Sequence, residues 1–370
     1  MDEGVLQTAV VQAGVADSYD TLPLVVSPVA SLPDLSSSYH VLVHVVAVAL
    51  NPTDYKNPMF LPAPGQPIGC DFCGIVTRCG EASVIEMGPR TRVCGAVFPY
   101  GHPGSPDAQT PMHASGAFSE WVVADSRLLI KVPPSWNDLQ GAALGGIGWG
   151  TVALALSDNN ALALEGFPSA PADTARPVVV YGGATATGTT ACQLLRLSGY
   201  KVIAITSPQS ASLALQYSAS KTVRALAGSP IRHVLDCITS PESAAISFSA
   251  IARTGGRYAC LEALNENWRT RKLVHVKEVM GFEGLGLSAQ LGTASSTYTR
   301  SASTDRFLIC QRWRGEIQKL VDTGMLKTHP VREIPGSRGG IIHGLGMLKN
   351  GEVRGQKLVV RIAPAPVGLE

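Results

Sequence analysis

No run of 18 apolar residues occurs anywhere in these 370 residues, and that absence excludes an ordinary membrane-spanning helix. The opening Met1-Asp2-Glu3-Gly4 has no basic region, and no continuous apolar core of the secretory kind follows it. The expectation is a cytoplasmic protein with no membrane association. Blocks of like charge are missing too: 30 Lys and Arg face 28 Asp and Glu, and charged residues make up only 16% of the chain. The electrostatic footprint of a nucleic-acid binder is therefore absent. A small molecule is the expected ligand, and a monomer the expected state.

Disulfide and metal patterns are lacking as well. The cysteines (Cys70, Cys73, Cys79, Cys94, Cys192, Cys237, Cys260 and Cys310) are scattered, which suits free buried thiols rather than a disulfide framework. Cys70 and Cys73 form a CxxC pair, but a structural zinc site needs a second pair at comparable spacing, and none exists. No metal is expected.

What is present is an ordinary globular composition, 45% hydrophobic, in a length that suits two domains and a cleft. Residues 41 to 50, nearly all apolar and largely β-branched, read as a strand buried on both faces or curled into a barrel. Short strands at Gly69–Thr77, Arg92–Phe98 and Phe118–Val123, separated by Pro and Gly turns, extend this into a small β-barrel-like domain. Residues 139 to 156 read as one helix interrupted by glycines, and 157 to 177 as a connecting loop. From Pro177 the order is strand (Val178–Tyr181), Gly-rich turn (Gly182–Gly188), helix (Thr189–Ser198) and strand (Lys201–Thr206), a βαβ unit that begins a parallel nucleotide-binding sheet. Strands at Val234–Cys237 and Arg257–Leu261 continue it. Residues 281 to 303 show no clear periodicity, and Lys357–Ile362 is a last strand that returns to the first domain.

Three places carry chemistry. The turn Gly182-Gly183-Ala184-Thr185-Ala186-Thr187-Gly188 stands where backbone N–H groups and a helix dipole hold a pyrophosphate. The alternative is a tight turn that needs glycine for its φ, and Thr185 or Ala186 occupies the place of the usual middle glycine. After the second strand the chain reads Thr206-Ser207-Pro208-Gln209-Ser210, with no acid to bind a ribose 2′-hydroxyl. Hydroxyls and an amide donate to a 2′-phosphate where a carboxylate repels it, so NADPH is preferred to NADH; Lys221 or Arg224 is a candidate for the positive charge. In the first domain Asn51-Pro52-Thr53-Asp54-Tyr55-Lys56 forms a loop after the long buried strand. Lys56 is either a proton donor or oxyanion stabiliser there, or a solvated charge. The glycines of Leu144-Gly145-Gly146-Ile147-Gly148-Trp149-Gly150-Thr151 serve either close approach of cofactor or substrate, or a helix packed tightly on a strand.

Taken together, Asn51-Pro52-Thr53-Asp54-x-Lys56, Gly69-x-Asp71-x-x-Gly74, Gly116-Ala117-Phe118-Ser119-Glu120, the Gly182–Gly188 turn and Lys357-Leu358-Val359-Val360 resemble the zinc-free, quinone-reductase-like branch of the medium-chain dehydrogenase/reductase superfamily. Tyr181–Gly188, Leu195–Tyr200, Leu235-Asp236-Cys237-Ile238-Thr239 and Thr270-Arg271-Lys272 are similar to the stand-alone enoyl reductases of fungal polyketide pathways, of lovastatin type. The resemblance implies an α/β protein with a GroES-like β-barrel domain at 1–150, completed by about 310–370, and a Rossmann doubly wound parallel-sheet domain at 151–309. It implies NADPH-dependent reduction, in trans, of an α,β-unsaturated thioester on the acyl carrier protein of a polyketide synthase. By the same resemblance the cofactor contacts fall on Thr53, Lys56, Thr151, Ala184, Thr185, Ala186, Thr187, Ser207, Pro208, Gln209, Ser210, Leu261, Glu262, Arg354 and Gly355. Ala225 stands where relatives often carry a tyrosine against the adenosine. The acyl pocket falls on Leu144, Gly148, Trp149, Thr151, Phe282, Leu285 and Gly286.

Lys56 with the Thr53 and Thr151 hydroxyls is the catalytic candidate set, for orienting a nicotinamide and stabilising an enolate. No residue stands out as sole proton donor, which leaves the role to water. Zinc alcohol dehydrogenases of the superfamily carry a cysteine near the Asn51–Lys56 loop and a histidine at the position of Cys70, and this chain has neither. The rival functions are a free-standing NADPH quinone or 2-alkenal reductase and a non-redox accessory protein of the same fold.

Overall fold

The computed structural model describes residues 6–14, 18, 21–100, 116–217, 230–289, 291 and 298–362. In chain order the elements are β1 (Leu6–Gln12), β2 (Leu24–Ser31), β3 (His40–Ala49), α1 (Pro52–Phe60), β4 (Asp71–Cys79), β5 (Arg92–Ala96), β6 (Trp121–Asp125), β7 (Ile130–Lys131), α2 (Asp138–Leu144) and α3 (Ile147–Ser157). There follow β8 (Pro177–Tyr181), α4 (Ala186–Leu197), β9 (Lys201–Ile205), α5 (Ala211–Gln216), β10 (His233–Asp236), α6 (Pro241–Ala250), β11 (Gly256–Cys260) and β12 (Val274–Glu278). The chain ends with α7 (Thr304–Asp322), β13 (Val331–Glu333), α8 (Ser337–Lys349) and β14 (Lys357–Arg361). The described residues divide into two compact units: one within Met1–Ile147, Leu285–Thr304 and Val321–Glu370, the other within Gly148–Gly284 and Asp305–Leu320.

The first unit is built on β3. Its residues Val45 to Ala49 are wholly buried, so neighbours are needed on both faces and both edges. The strand pairs antiparallel with β4, β6 and β14 inside a sheet ordered β13-β14-β3-β4-β5-β7. Two register shifts against β4, at Leu42/Val43 and Val45/Ala47, bend the sheet as bulges do. The tail strand β14 thus lies beside a strand that begins more than 300 residues earlier. β1 and β2 form a separate antiparallel pair.

The second unit holds five parallel strands in the order β12-β11-β10-β8-β9. β8 (Pro-Val-Val-Val-Tyr) is buried along most of its length, as expected for a parallel strand covered on both faces. Val179, Ile203, Val234, Phe248, Tyr258 and Val274 share its core. Trp313 of α7 is 1% exposed and donates from Nε1 to Ser157 Oγ at 2.8 Å, which ties α7 to the end of α3. The one stretch of the described residues long and apolar enough to cross a membrane, Asp138–Ser157, is 78% buried inside the protein.

Candidate active site

The segment expected as a loop after β3 is the helix α1. Pro52 suits its first turn, where a missing N–H costs nothing. Asp54 then stabilises the start, its Oδ2 accepting the Asn51 N–H at 2.9 Å. Thr53 and Lys56, three apart, share one side of the helix, and both are half-buried. Asn57 Nδ2 donates to Thr53 Oγ1 at 3.0 Å, and Lys56 is engaged rather than free.

Beneath α1 lies a buried polar cluster. Asp71, 1% exposed, accepts at Oδ1 from the Gly146 and Ile147 N–H groups at 2.8 and 2.9 Å. Its Oδ2 accepts from Asn51 Nδ2 at 2.9 Å and stands 3.4 Å from Lys357 Nζ. The Lys357 ammonium also donates to Asn51 Oδ1. Asp54 Oδ1 accepts from the Tyr100 hydroxyl at 3.0 Å, and that hydroxyl accepts the Gly69 N–H at 3.1 Å. Three stretches distant in sequence, the start of α1, the junction of α2 and α3, and β14, are therefore fixed to one carboxylate. Gly145 separates α2 from α3 at φ +50°, and a Cβ there would lie 2.4 Å from Asp71 Oδ1; one at Gly146 would lie 2.6 Å from Ala96. At these two glycines the close approach is made by the protein's own atoms. Gly148 has nothing within 4 Å of its Cβ position.

Electrostatics in the cluster follow from burial. The Asp54 carboxyl is pushed up to about 6, by burial first and also by the charge of Asp71, against hydrogen bonds from Asn51, Cys70 and Tyr100 that favour its ionised form. An acid held above its unfolded value gains stability that is complete below about pH 4 and lost as pH rises through 6. Ionising it in the fold costs on the order of 3 kcal/mol by neutral pH. Asp54→Asn should remove this component: between pH 4.5 and 7 its melting temperature should fall less than that of wild type, and equal falls would deny Asp54 the effect.

The two CxxC thiols face different neighbours. Cys70 bonds to Asp54, while Cys73 Sγ lies 2.8 Å from the Cβ position of Gly141. Burial pushes both thiols up. Among the described residues no group of three or more His, Cys, Asp and Glu is placed to hold a metal.

In the second unit the glycine turn is shorter than its sequence suggests, because α4 starts at Ala186. Thr185, at the place of the usual middle glycine, is its N-cap: Oγ1 accepts the Gly188 N–H at 3.0 Å and donates to Gly182 O at 2.8 Å. Gly182 has φ +75°, and a Cβ on Gly188 would lie 2.2 Å from Gly182 O. The first-turn N–H groups of Ala186 and Thr187 have no partner within the helix. With the small residues Gly183, Ala184, Thr185, Ala186 and Thr187 forming the turn and first helical residues, this start of a 12-residue helix fits a pyrophosphate.

After β9, Ser207 is exposed and its hydroxyl lies 3.2 Å from Ser210 Oγ, in a short turn (Pro208–Ser210) that leads into α5. Lys221, Arg224 and Ala225 lie outside the described residues. Leu261 and Glu262, both half-buried, follow β11, and the Leu261 N–H donates to Thr239 Oγ1 at 3.3 Å. Arg354 is exposed and Gly355 has φ +61° in the turn before β14.

Of the expected acyl-pocket residues, Leu144, Trp149, Thr151 and Phe282 are buried, while Leu285 and Gly286 are half-buried. Within the second unit α3 and the Phe282 segment are joined through α7. Cys310 Sγ lies 3.8 Å from Gly150 O and 2.3 Å from the Cβ position of Gly284. Arg306 bridges Asp158 at 3.0 Å and Glu283 at 2.7 Å. The sequence reading missed these groups, and an Arg two residues into a helix that follows an aperiodic stretch gives little signal. It also missed Asp236, which accepts from Ile238 N, Thr239 N, Ser243 Oγ and Tyr258 Oη at 2.6 to 3.0 Å and holds Thr239 at φ +57°. A buried acid at a strand end followed by Thr and Ser is the clue that was available.

Comparison with known proteins adds the following. Residues 37–134 match the alcohol dehydrogenase GroES-like domain. The chain is 51% identical to the trans-enoyl reductase calK of Penicillium decumbens and 48% identical to the trans-enoyl reductase sthE of Phaeosphaeria nodorum, in each case over 96% of this chain and 98% of the relative. The quinone oxidoreductase from Coxiella burnetii has the same fold, with a TM-score of 0.65 at 19% identity over 97% of this chain and 100% of that one.

Proposed function

We propose that this chain, which belongs to the trans-enoyl reductases within the medium-chain dehydrogenase/reductase superfamily, reduces the carbon–carbon double bond of an α,β-unsaturated acyl thioester carried by a separate polyketide synthase. The reading is carried by the nearly end-to-end likeness to two trans-enoyl reductases. It is supported by a helix start fitted to a dinucleotide pyrophosphate. The enzyme works as a cytoplasmic monomer with NADPH, the cofactor favoured by Ser207, Gln209 and Ser210 in place of an acid.

A dinucleotide held at the start of α4 would supply the hydride for the β-carbon of the substrate. The protein's own part is positional and electrostatic. Ala186 and Thr187 offer N–H groups to the pyrophosphate, and Ser207 and Ser210 offer hydroxyls to the 2′-phosphate. Of the first unit, Lys56 and Thr53, one turn of α1 apart, are the candidates for stabilising the enolate oxygen, and of the second, Thr151 on α3 is the candidate for orienting the nicotinamide. The α-carbon then takes its proton from water. Trp149 and Phe282 line the acyl chain.

The test is NADPH oxidation by the purified protein with a crotonyl thioester, a quinone and a 2-alkenal compared at equal concentration. The thioester should be turned over most efficiently. Preference for the quinone or the alkenal would make the protein a free-standing reductase, and failure to bind NADPH in a fluorescence titration would make it a non-redox protein. Ser207→Asp should weaken NADPH by about tenfold or more through repulsion of the 2′-phosphate and leave NADH less affected. Equal wild-type affinity for both cofactors would refute the specificity argument.

A further inference from the structure

Four parallel strands of the second unit end in one row. Ile205, Tyr181, Asp236 and Cys260 lie side by side across β9, β8, β10 and β11. The residues after them line the carboxyl edge of the sheet, where a dinucleotide lies in folds of this kind. After β9 and β8 these are Ser207 and the Gly182 turn. The turn after β10, Cys237-Ile238-Thr239, has no assigned part. It is fixed at its first residue by the Cys237 N–H, which donates to Tyr181 O at 2.9 Å.

Two features set this turn apart from an idle loop. Thr239 has φ +57° and is, among the described residues, the only β-branched one with a positive φ. A β-branched side chain in the left-handed region is costly and persists only where its surroundings impose it. Ile238, one residue earlier, stays 44% exposed although one side of it packs on the cofactor turn. A Cβ built on Gly182 would lie 2.9 Å from Ile238 Cγ1 and 3.0 Å from its Cδ1. A single exposed isoleucine is common, but strained backbone that keeps one beside a ligand turn calls for a use.

The strain is imposed by Asp236, which is wholly buried. Its two oxygens are divided between scaffold and turn. Oδ2 accepts from Ser243 Oγ on α6 at 2.6 Å and from Tyr258 Oη on β11 at 2.8 Å. Burial, and then the Asp236 carboxylate, push the Tyr258 hydroxyl up, so it remains a donor. Oδ1 accepts the Ile238 and Thr239 N–H groups at 2.9 and 3.0 Å. Thr239 passes the constraint on, because its Oγ1 accepts the Leu261 N–H beyond β11 at 3.3 Å. One buried carboxylate thus sets the ends of two strands, and the side chain of Ile238 comes to rest on Gly182 as a result.

We propose that Asp236 is a positioning residue for the cofactor, holding Ile238 against Gly182 as an apolar seat on which the dinucleotide lies beside its pyrophosphate. The proposal rests on the dinucleotide site at the start of α4 proposed above. There the pyrophosphate is left to backbone N–H groups, and the small side chains of the turn give the neighbouring sugar and base little apolar surface. Ile238 supplies it. Binding covers the exposed part of its side chain, which is a gain that the fold alone does not collect.

The experiment titrates the full chain with NADPH by fluorescence and follows the melting temperature of the cofactor-free protein. Ile238→Ala should raise the Kd for NADPH about fivefold to tenfold, the loss of the covered part of an isoleucine. Its melting temperature should not change, because the side chain is exposed. Asp236→Ala should raise the Kd to a similar extent and lower the melting temperature as well. Asp236→Asn should recover most of the affinity, since its amide oxygen still accepts the two turn N–H groups. In a chain already carrying Ile238→Ala, Asp236→Ala should add no more than about twofold to the Kd. If Asp236→Ala does not fold, Thr239→Pro takes its place, because proline excludes the left-handed φ and removes one of the two N–H groups. An unchanged Kd in Ile238→Ala overturns the seat and leaves the dinucleotide site standing. Additive losses, or an Asp236→Asn no better than Asp236→Ala, overturn the action through Ile238 and make the carboxylate part of the general scaffold. A wild type that binds no NADPH removes the dinucleotide site and this proposal with it.

Discussion

Lys357→Met is expected to lower stability by about 3–5 kcal/mol, the usual consequence of leaving a buried charge without its partner. Lys357 is 7% exposed and Asp71 1%, so water cannot replace the lost ammonium. Asn51 Oδ1 would lose its donor at the same time. At roughly 2–4 °C per kcal/mol for units of this size, the melting temperature should drop by about 10 °C. The cause is separable from lost packing. Asp71→Asn neutralises the carboxylate while its remaining oxygen still accepts one set of donors, so the double variant should be more stable than the two single costs added together. Strict additivity in that cycle, or a cost below about 1 kcal/mol for Lys357→Met, would mean that the pair contributes no coupling.

Lys56→Met should reduce turnover of an enoyl thioester by on the order of 10²–10³, the usual cost of removing one oxyanion donor. The site differs from a solvated loop lysine in that Lys56 is half-buried on α1, a turn from Thr53, on a helix whose start is fastened to the Asp71 cluster. Lys56→Arg need not restore the rate, since a planar guanidinium donates in other directions than a compact ammonium. Steady-state kinetics with NADPH affinity measured separately decides the matter. Unchanged turnover together with unchanged affinity in Lys56→Met would remove it from the active site.

What the sequence disclosed was set by how local the information is. Four of the five strands of the parallel sheet were legible to within a residue or so, because β-branched apolar runs such as Pro177–Tyr181 and Lys201–Ile205 leave little choice of conformation, whereas β12 (Val274–Glu278), in which His275, Lys277 and Glu278 break the apolar run, was missed. α1 was not legible: Asn51-Pro52-Thr53-Asp54 with Pro58 reads as turn punctuation, and the helix exists because Asp54 and Asn51 are held from below by Tyr100, Asp71 and Lys357. The start of α4 was placed three residues late, since Thr185 caps it with a hydroxyl where the motif would have put glycine. The glycines before Trp149 were visible but their use was not. Gly145 makes way for Asp71, a residue 74 positions earlier, and no periodicity reports such a partner. The fold class was therefore readable from pattern, whereas the groups that hold the candidate site in place had to be found in three dimensions.

The pairing of Lys357 with Asp71 spans 286 residues, and this sets an order of events during synthesis. At about 5–20 residues per second, Asp71 and Asn51 leave the ribosome on the order of 15–60 s before their cation does. In that interval most of the chain that forms the second unit has emerged, while the first still lacks β14 and a counter-charge for a carboxylate destined for its core. The first unit therefore cannot close the β14 edge of β3, or neutralise Asp71, until chain that emerges after the strands of the second unit has been made.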